Sequence, residues 1–259
     1  MASTEDAGRR GVAPAPRRRF ERAADENAEQ PAHSAASLSP AQRQARERRV
    51  FLYIPNIIGY VRLALLVAAA WAWQKAFGFL FVVFYIVSQG LDAVDGAVAR
   101  RLGQVSVFGA CLDQVVDRLS TCLLYILNAV AYPAWAPAFF FALLLDVGGH
   151  WVHFFAAAVA GAKSHKQLED ADVNQVLAIY YSSRPVMFAA ILGFDGFFLS
   201  ILLLASPLLE FSSFVFLQKA LVAVAYTSAP LMAFKTLTNL LQGVYGAQRL
   251  VACGLAAES

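Results

Sequence analysis

The stretch that decides the fold is DAVDGAVARRLGQVSVFGACLDQVVD, residues 92–117, which carries four aspartates. Asp92 and Asp95 close one long apolar run, and Asp113 and Asp117 open the next. Helical residues three or four apart share a face, so the carboxylates of each pair point the same way. A short turn between two helices would bring all four together. Ionisable residues inside membrane helices are costly and mark functional sites by default.

The acid cluster predicts a metal site. Four carboxylates at close quarters need positive charge among them, and ligands that are all oxygen suit a hard divalent cation. We therefore expect two Mg²⁺ or Mn²⁺ ions. Their expected ligands are Asp92, Asp95, Asp113 and Asp117. Gly96 and Gly109 agree with this prediction, because a missing side chain lets a bulky ligand approach the helix backbone.

The rest of the chain reads as an all-α, polytopic membrane protein. Of its 259 residues, 59% are hydrophobic, and they come in runs long enough to span a bilayer. We expect a kink in the fifth run at Pro185 and Gly193. The six predicted transmembrane helices cover about residues 53–73, 77–100, 106–131, 135–161, 175–205 and 212–243.

The sequence outside the helical domain, which is predicted over 53–246, differs in character. Residues 1–38 hold few large apolar residues and are expected to be disordered. Residues 39–52 are expected to form a short interfacial amphipathic helix, capped by Ser39. Up to residue 50 there are ten Arg against seven acids, so the net charge of +3 belongs to this region. These acids interleave with the arginines and no aromatic platform accompanies them, which argues against nucleic-acid binding. Residues 247–259 are expected to form a C-terminal tail.

Basic residues set the expected orientation. They concentrate in the N-terminal tail, at Arg100–Arg101 and in the loop over 163–174, whereas the loop over 131–137 carries none. The excess of Lys and Arg marks the cytoplasmic side. The aspartate cluster and both termini are therefore expected to face the cytoplasm. Asp195 and Glu210 are expected to flank the opposite side as structural acids.

The spacing of the aspartates resembles a family signature. Asp, two residues, Asp-Gly, two residues, Ala-Arg, eight residues, Gly, three residues, Asp, three residues, Asp is similar to the signature of the CDP-alcohol phosphatidyltransferases, and every position matches over 92–117. The resemblance implies a transferase that uses CDP-diacylglycerol and releases CMP by metal-assisted direct displacement. In it Asp117 acts as the base. The residues expected to contact the donor in this stretch are Gly96, Ala99, Arg100 and Gly109.

Further landmarks resemble the branch of this family that uses myo-inositol as the acceptor. They lie at 55–62, 91–96, 145–151, 164–166 and 180–185. Asn56 and Arg62, near the start of the first span, would contact the donor's phosphates or anchor the helix at the interface. The implied product is phosphatidylinositol.

An inositol pocket needs several hydrogen-bonding groups. The residues that we expect to line it are Arg184, His150, Lys166 and Asp146. Arg184 could instead snorkel to the interface. Asp146, His150 and His153 share a helix face and could alternatively bind zinc, although the chain offers no convincing further ligand. Lys235 is either a further pocket residue or an anchor of its helix.

Two rival functions stay open at this stage. One is a sister enzyme with another acceptor, such as glycerol phosphate or serine. The other is an ion-coupled transporter, since membrane aspartates also form ion relays. Family resemblance implies a homodimer, and a lipid synthase that faces the cytoplasm is expected in the endoplasmic reticulum.

Overall fold

The computed structural model describes residues 39–160, 175–207 and 214–258, and over these ranges every regular element is helical. This confirms the all-α prediction. The chain divides into two units, residues 1–53 and 54–259, which are described separately. The helices are α1 (Pro40–Phe51), α2 (Ile54–Gln74), α3 (Gly78–Arg101), α4 (Val107–Ala131), α5 (Ala136–Leu143), α6 (Gly149–Val159), α7 (Gln175–Ser182), α8 (Arg184–Leu204) and α9 (Val215–Glu258).

Helix α1 belongs to the first unit and begins where the sequence predicts. Ser39 accepts a hydrogen bond from the Gln42 backbone amide, and the Gln42 side chain accepts one from the Ser39 amide, while Pro40 occupies the first turn. This reciprocal capping satisfies two amides that the helix leaves without partners. None of its residues is buried. Its position at the membrane interface stays a prediction, and the tail over 1–38 lies outside the described residues.

The chain is an integral membrane protein. Five helical segments of the described residues are long and apolar enough to span a bilayer: Ile54–Gln74, Gly78–Arg101, Pro133–Val159, Arg184–Leu204 and Val215–Leu255. Six spans were expected. The remaining one, α4, has 25 residues but carries Asp113, Asp117 and Arg118, which lower its mean hydropathy.

The last two predicted helices differ in detail from those observed. The fifth run forms two helices that break at Ser183, because Pro185 has no amide hydrogen and its ring would clash with the carbonyl four residues earlier, so it fits only in the first turn of a new helix. Gly193 lies within the continuous helix α8 and packs against Leu231. The last helix continues to Glu258, well past the predicted end at 243.

A short π-helical segment, Leu144–Gly148, joins α5 to α6 and contains the buried Asp146. Helix α5 packs against α4, whereas α6 packs against α9. Segments of this kind insert one residue into a helical turn and are frequent at functional sites. The fourth span therefore presents its two halves to different neighbours.

Helices α6 and α9 approach each other through glycines. A Cβ atom added to Gly246 would lie 2.9 Å from the Cα of His153, and one added to Gly243 would lie 3.1 Å from the Cα of Gly149. In a membrane, small residues of this kind let two helices gain van der Waals contact backbone to backbone. The close approach sets the separation between the polar residues that both helices carry.

Aromatic side chains fill the interface between α4 and α8. Tyr125 packs edge-on against Phe198, with ring centroids 4.9 Å apart, and Phe198 also contacts Phe194. Two hydrogen bonds link α4 and its C-terminal end to α8: Asn128 donates to the carbonyl of Phe198 at 3.0 Å, and the Tyr132 hydroxyl donates to that of Ile201 at 2.7 Å.

Gly246→Val should lower the stability of the fold. The new side chain meets the His153 backbone, which cannot move aside, and such overpacking costs typically about 1–3 kcal/mol. The apparent Tm in detergent, followed by the loss of circular dichroism, should fall by several degrees. Gly254→Val on the same helix is the control, because nothing lies within 4 Å of that position. Equal behaviour of the two variants would contradict the proposed role of the glycine contact.

Candidate active site

A short turn brings the two halves of the aspartate signature together. Gly103 ends α3 with a φ of +62°, a left-handed conformation that glycine adopts at no steric cost. The Gln104 amide then donates to the carbonyl of Ala99 at 2.9 Å. Ser106 caps α4 by accepting from the Gly109 amide, also at 2.9 Å. The two helices that this turn connects, α3 and α4, both pack against α2.

The four carboxylates converge on the guanidinium of Arg62, which is fully buried. Its Nη2 lies 2.8 Å from Asp92 Oδ1 and 2.7 Å from Asp117 Oδ1. Its Nη1 lies 3.0 Å from Asp95 Oδ2 and 2.8 Å from Asp113 Oδ1. Because a guanidinium directs several N–H groups in one plane, one side chain can contact all four acids. Neither reading of Arg62 from the sequence included this arrangement.

Arg62 belongs to a buried polar stripe along one face of α2. Asn56, Gly59 and Arg62 are buried at spacings of three residues, whereas apolar side chains on the other faces, such as Ile57 and Val61, are exposed. The stripe packs onto α4 at two points where space is tight. A Cβ at Gly59 would lie 2.9 Å from the side chain of Leu112.

The second tight point concerns Gly109. A Cβ there would lie 2.7 Å from Asn56 Oδ1 and 3.0 Å from Ser106 Oγ. The sequence suggested that this glycine makes room for a bulky ligand. In the structure the Asn56 amide takes that space, so Gly109 permits the contact between α2 and α4.

The carboxylates also suit a metal ion. Asp92, Asp95 and Asp113 each offer an oxygen, and these three atoms lie within 4.8 Å of one another. The side chains of Asp92 and Asp113 are 43% and 39% exposed, so both are accessible for coordination. Carboxylate oxygens are the ligands that Mg²⁺ and Mn²⁺ prefer.

A cavity of about 270 Å³ extends from the aspartates into the protein. Asp92, Asp113 and Asp117 form one end, called here the aspartate end. The other end, called the far end, is formed by side chains from α4, the π-helical segment, α6, α7 and α9. Its polar members are Arg118, Asp146, His150, His153, Tyr180, Tyr181, Lys235, Asn239 and Gln242.

An ion pair occupies the far end. Arg118 Nη1 donates to Asp146 Oδ1, and His150 Nδ1 lies 3.3 Å from the same oxygen. Asp146 is almost completely buried. Arg118 was not singled out from the sequence, although its position directly after Asp117 in an apolar run was the available signal. The pair accounts for Asp146 and His150 without zinc, since His153 contacts the Tyr181 hydroxyl instead, at 3.5 Å.

Helices α7 and α9 complete the far end. Lys235 Nζ donates to Asn239 Oδ1 and lies 5.5 Å from the centre of the Tyr180 ring. Gln242 donates to the Tyr181 hydroxyl at 2.5 Å. Lys235 is thus part of the cavity wall, which is the first of the two roles considered from the sequence.

The cavity does not include every residue predicted for the site. Gly96 and Ala99 are partly exposed outside it, and Arg100 is exposed with its guanidinium near Gly96. Arg184 is exposed at the start of α8 and does not line the cavity. Lys166 and Glu210 lie outside the described residues.

Asp195 does not lie where the sequence predicted. The expectation that it flanks the opposite side is wrong, because it lies in the middle of α8, lines the cavity and accepts a hydrogen bond from Tyr85 at 3.3 Å. The apolar sequence around it gave no indication of this partner, which is 110 residues away.

Helices apolar enough to span a bilayer surround the cavity and its aspartates, so the site belongs to a membrane-embedded protein. Comparison with known proteins identifies the family. A sequence profile of the CDP-alcohol phosphatidyltransferases matches residues 52–204, and the chain belongs to this family. It is a transferase, as the signature predicted. No solved structure matches the chain significantly.

Relatives from animals, plants and fungi carry the same name, CDP-diacylglycerol–inositol 3-phosphatidyltransferase. The rat protein is 39% identical over 152 residues, which cover 59% of this chain and 70% of the relative. An Arabidopsis thaliana protein, numbered 1, is 42% identical over 157 residues, covering 60% and 67%. The Saccharomyces cerevisiae protein is 36% identical over 195 residues, covering 71% and 87%.

Arg62→Gln should destabilise the protein, and divalent metal should restore stability. Removing one partner of a fully buried ion pair costs about 3–5 kcal/mol, and the partial exposure of Asp92 and Asp113 reduces our expectation to roughly 2 kcal/mol. The apparent Tm in EDTA should fall, and Mg²⁺ or Mn²⁺ should raise it more than in the wild type. Arg101→Gln, at an exposed site on α3, is the control. An unchanged Tm in EDTA would contradict the role of Arg62.

Proposed function

We propose that this protein transfers the phosphatidyl group from CDP-diacylglycerol to myo-inositol, giving phosphatidylinositol and CMP. The observation that carries the proposal is a single cavity with a carboxylate centre at one end and a charge-balanced, hydrogen-bonding far end. The names of the relatives agree with this acceptor. Membership of the family argues against the transporter alternative.

The aspartate end takes the donor. Asp92, Asp95 and Asp113 would hold Mg²⁺ or Mn²⁺, with Asp117 as a possible further ligand. When bound, the ion neutralises the charge of the donor pyrophosphate and of the leaving CMP. As donor-binding residues we retain Gly96, Ala99, Arg100, Gly109, Asn56 and Arg62. Of these, Arg62 would contribute by holding the carboxylates in position, and Asn56 and Gly109 by keeping α2 packed against α4.

Asp117 is the proposed base. Its carboxylate belongs to the aspartate end, and the next residue in the chain, Arg118, belongs to the far end, so an acceptor bound there would present a hydroxyl to Asp117. Asp117 takes the hydroxyl proton while the acceptor oxygen bonds to the phosphorus of the phosphatidyl group. The bond from that phosphorus to the CMP oxygen breaks, and CMP leaves with the electron pair. No covalent enzyme intermediate is needed.

Unpartnered polar atoms favour a polyol as the acceptor. Among the described residues, four of the cavity-lining side chains have a buried polar atom without a hydrogen-bond partner. Two are donors, Gln89 Nε2 and Arg118 Nε, and two are acceptors, Asp146 Oδ2 and Gln242 Oε1. A hydroxyl group both donates and accepts, so a ring with several hydroxyls can satisfy both kinds.

The charge of the far end favours a neutral acceptor. Arg118 is paired with Asp146, and the other two charged side chains that line the cavity beyond the aspartate end, Lys235 and Asp195, carry opposite charges without forming an ion pair among the described residues. A phosphorylated acceptor such as glycerol phosphate would need uncompensated cations. Serine would need separate partners for its charged amino and carboxyl groups. Inositol carries no charge and needs neither.

The cellular setting follows from the charge pattern of the loops and from family resemblance. We propose that the aspartate end and both termini face the cytoplasm, that the membrane is that of the endoplasmic reticulum, and that the protein is a homodimer. The lipid donor would enter the cavity from the membrane, and the lipid product would leave into it.

The test of the function is CMP release by the purified protein, supplied with CDP-diacylglycerol and Mg²⁺ or Mn²⁺. Release should depend on myo-inositol and should fall by at least a hundredfold in Asp117→Asn, because general-base catalysis contributes typically about 10²–10⁴-fold. Glu47→Gln, at an exposed carboxylate on α1, is the control. Release that requires glycerol phosphate or serine instead would keep the family and overturn the acceptor.

His150→Ala should weaken inositol binding selectively. His150 lines the cavity, and a hydrogen bond worth about 1 kcal/mol corresponds to a roughly fivefold rise in the KM for inositol. The KM for CDP-diacylglycerol should stay the same. Arg184→Ala, measured in parallel, decides whether that exposed guanidinium belongs to the inositol pocket. If only Arg184→Ala raises the KM, the pocket that we assign to the far end is wrong.

A further inference from the structure

We infer that α9 sets acceptor specificity. Its polar side chains Lys235, Asn239 and Gln242 form hydrogen bonds with the hydroxyl groups of the acceptor. The inference rests on the proposed function and deepens it. It concerns residues outside the segment that the family profile matches, which ends at residue 204.

Helix α9 buries its polar residues along one line. Lys235, Asn239, Gln242 and Gly246 are buried at spacings of four, three and four residues, which places them on one face of the helix. Apolar residues such as Leu237 and Leu240 are exposed on other faces. The helix therefore turns its polar face to the protein interior, where the cavity lies.

The buried ammonium of Lys235 has few hydrogen-bonding partners. Its side chain is 5% exposed, yet no carboxylate of the described residues lies within ion-pairing distance. An ammonium has three donors. Asn239 Oδ1 accepts one, and the face of the Tyr180 ring provides a weaker contact at 5.5 Å. A buried ammonium with so few partners is costly unless something in the cavity accepts a further hydrogen bond.

Gln242 lies two helical turns from Lys235 on the same face of α9. Its Nε2 is used by the Tyr181 hydroxyl, while its buried Oε1 has no partner among the described residues. The face thus offers a cationic donor at one level and an amide acceptor at another. These groups can distinguish a ring by where its hydroxyls lie, since a site built to bond a hydroxyl rejects an analogue that lacks it.

The polar face of α9 lies outside the segment that carries the family signature. All four signature aspartates lie inside the matched segment, and Lys235, Asn239 and Gln242 lie outside it. The donor chemistry belongs to the shared segment. Acceptor recognition therefore falls partly to a helix that the shared signature does not define.

Lys235→Met is the test, with Lys219→Met as the control because Lys219 lies on the same helix and is exposed. Hydrogen bonds to a charged group correspond to roughly a 10- to 100-fold change in affinity. The KM for myo-inositol should rise by that factor, with the KM for CDP-diacylglycerol unchanged. Lys235→Gln keeps a donor and should show a smaller rise. It also supplies the comparison if the Met variant fails to fold.

A series of monodeoxy-inositols, each lacking one hydroxyl, makes the assignment specific. The wild type should discriminate against one of them strongly, and Lys235→Met should lose that discrimination while keeping the others. A KM for myo-inositol in Lys235→Met within twofold of the control would overturn the inference. If the wild type releases no CMP in response to any inositol, the proposed function fails instead, so the two failures are distinguishable.

Discussion

A single guanidinium allows four carboxylates to lie together in the interior of a membrane protein. Arg62 contacts an oxygen of each aspartate, and its contacts extend from α2 to both α3 and α4. Without that charge, the acids would repel one another where water provides little screening. The positions of three helices therefore depend on one side chain, and the close approach of α2 is possible only because Gly59 and Gly109 carry no side chain.

The aspartate centre was largely predictable, because helical periodicity places the acids of each pair on one face and the intervening turn is short. The partner of the acids was not. Arg62 lies 33 to 55 residues from the aspartates that it hydrogen-bonds, and periodicity within a helix carries no information on such pairings. The same reason explains Asp195, which looked structural until its helix was placed beside the cavity. Arg118 was overlooked because it directly follows Asp117, and attention went to the signature residue alone.

The far end of the cavity was predictable only in part. Asp146 and His150 were identified because their spacing gives a shared helix face, and the structure brings both to the cavity wall. Arg184 was favoured because it stands at the start of an apolar run. Arg184 is the first residue of α8, and at this N-terminal end its side chain is exposed. On α9 the sequence indicated only Lys235, and Asn239 and Gln242 were missed, since a helix of 44 residues with apolar outer faces reads as uniformly hydrophobic.

The π-helical segment Leu144–Gly148 gives the fourth span two rotational phases. Each residue of an α-helix advances the direction of its side chain by about 100°. One additional residue in a turn offsets everything beyond it by that angle, so α5 faces α4 while α6 faces α9. Loss of one residue within the segment would rotate His150 and His153 away from the cavity while the composition of the span stayed almost the same. In this protein the length of a hydrophobic run is therefore as strictly constrained as the identity of the polar residues within it.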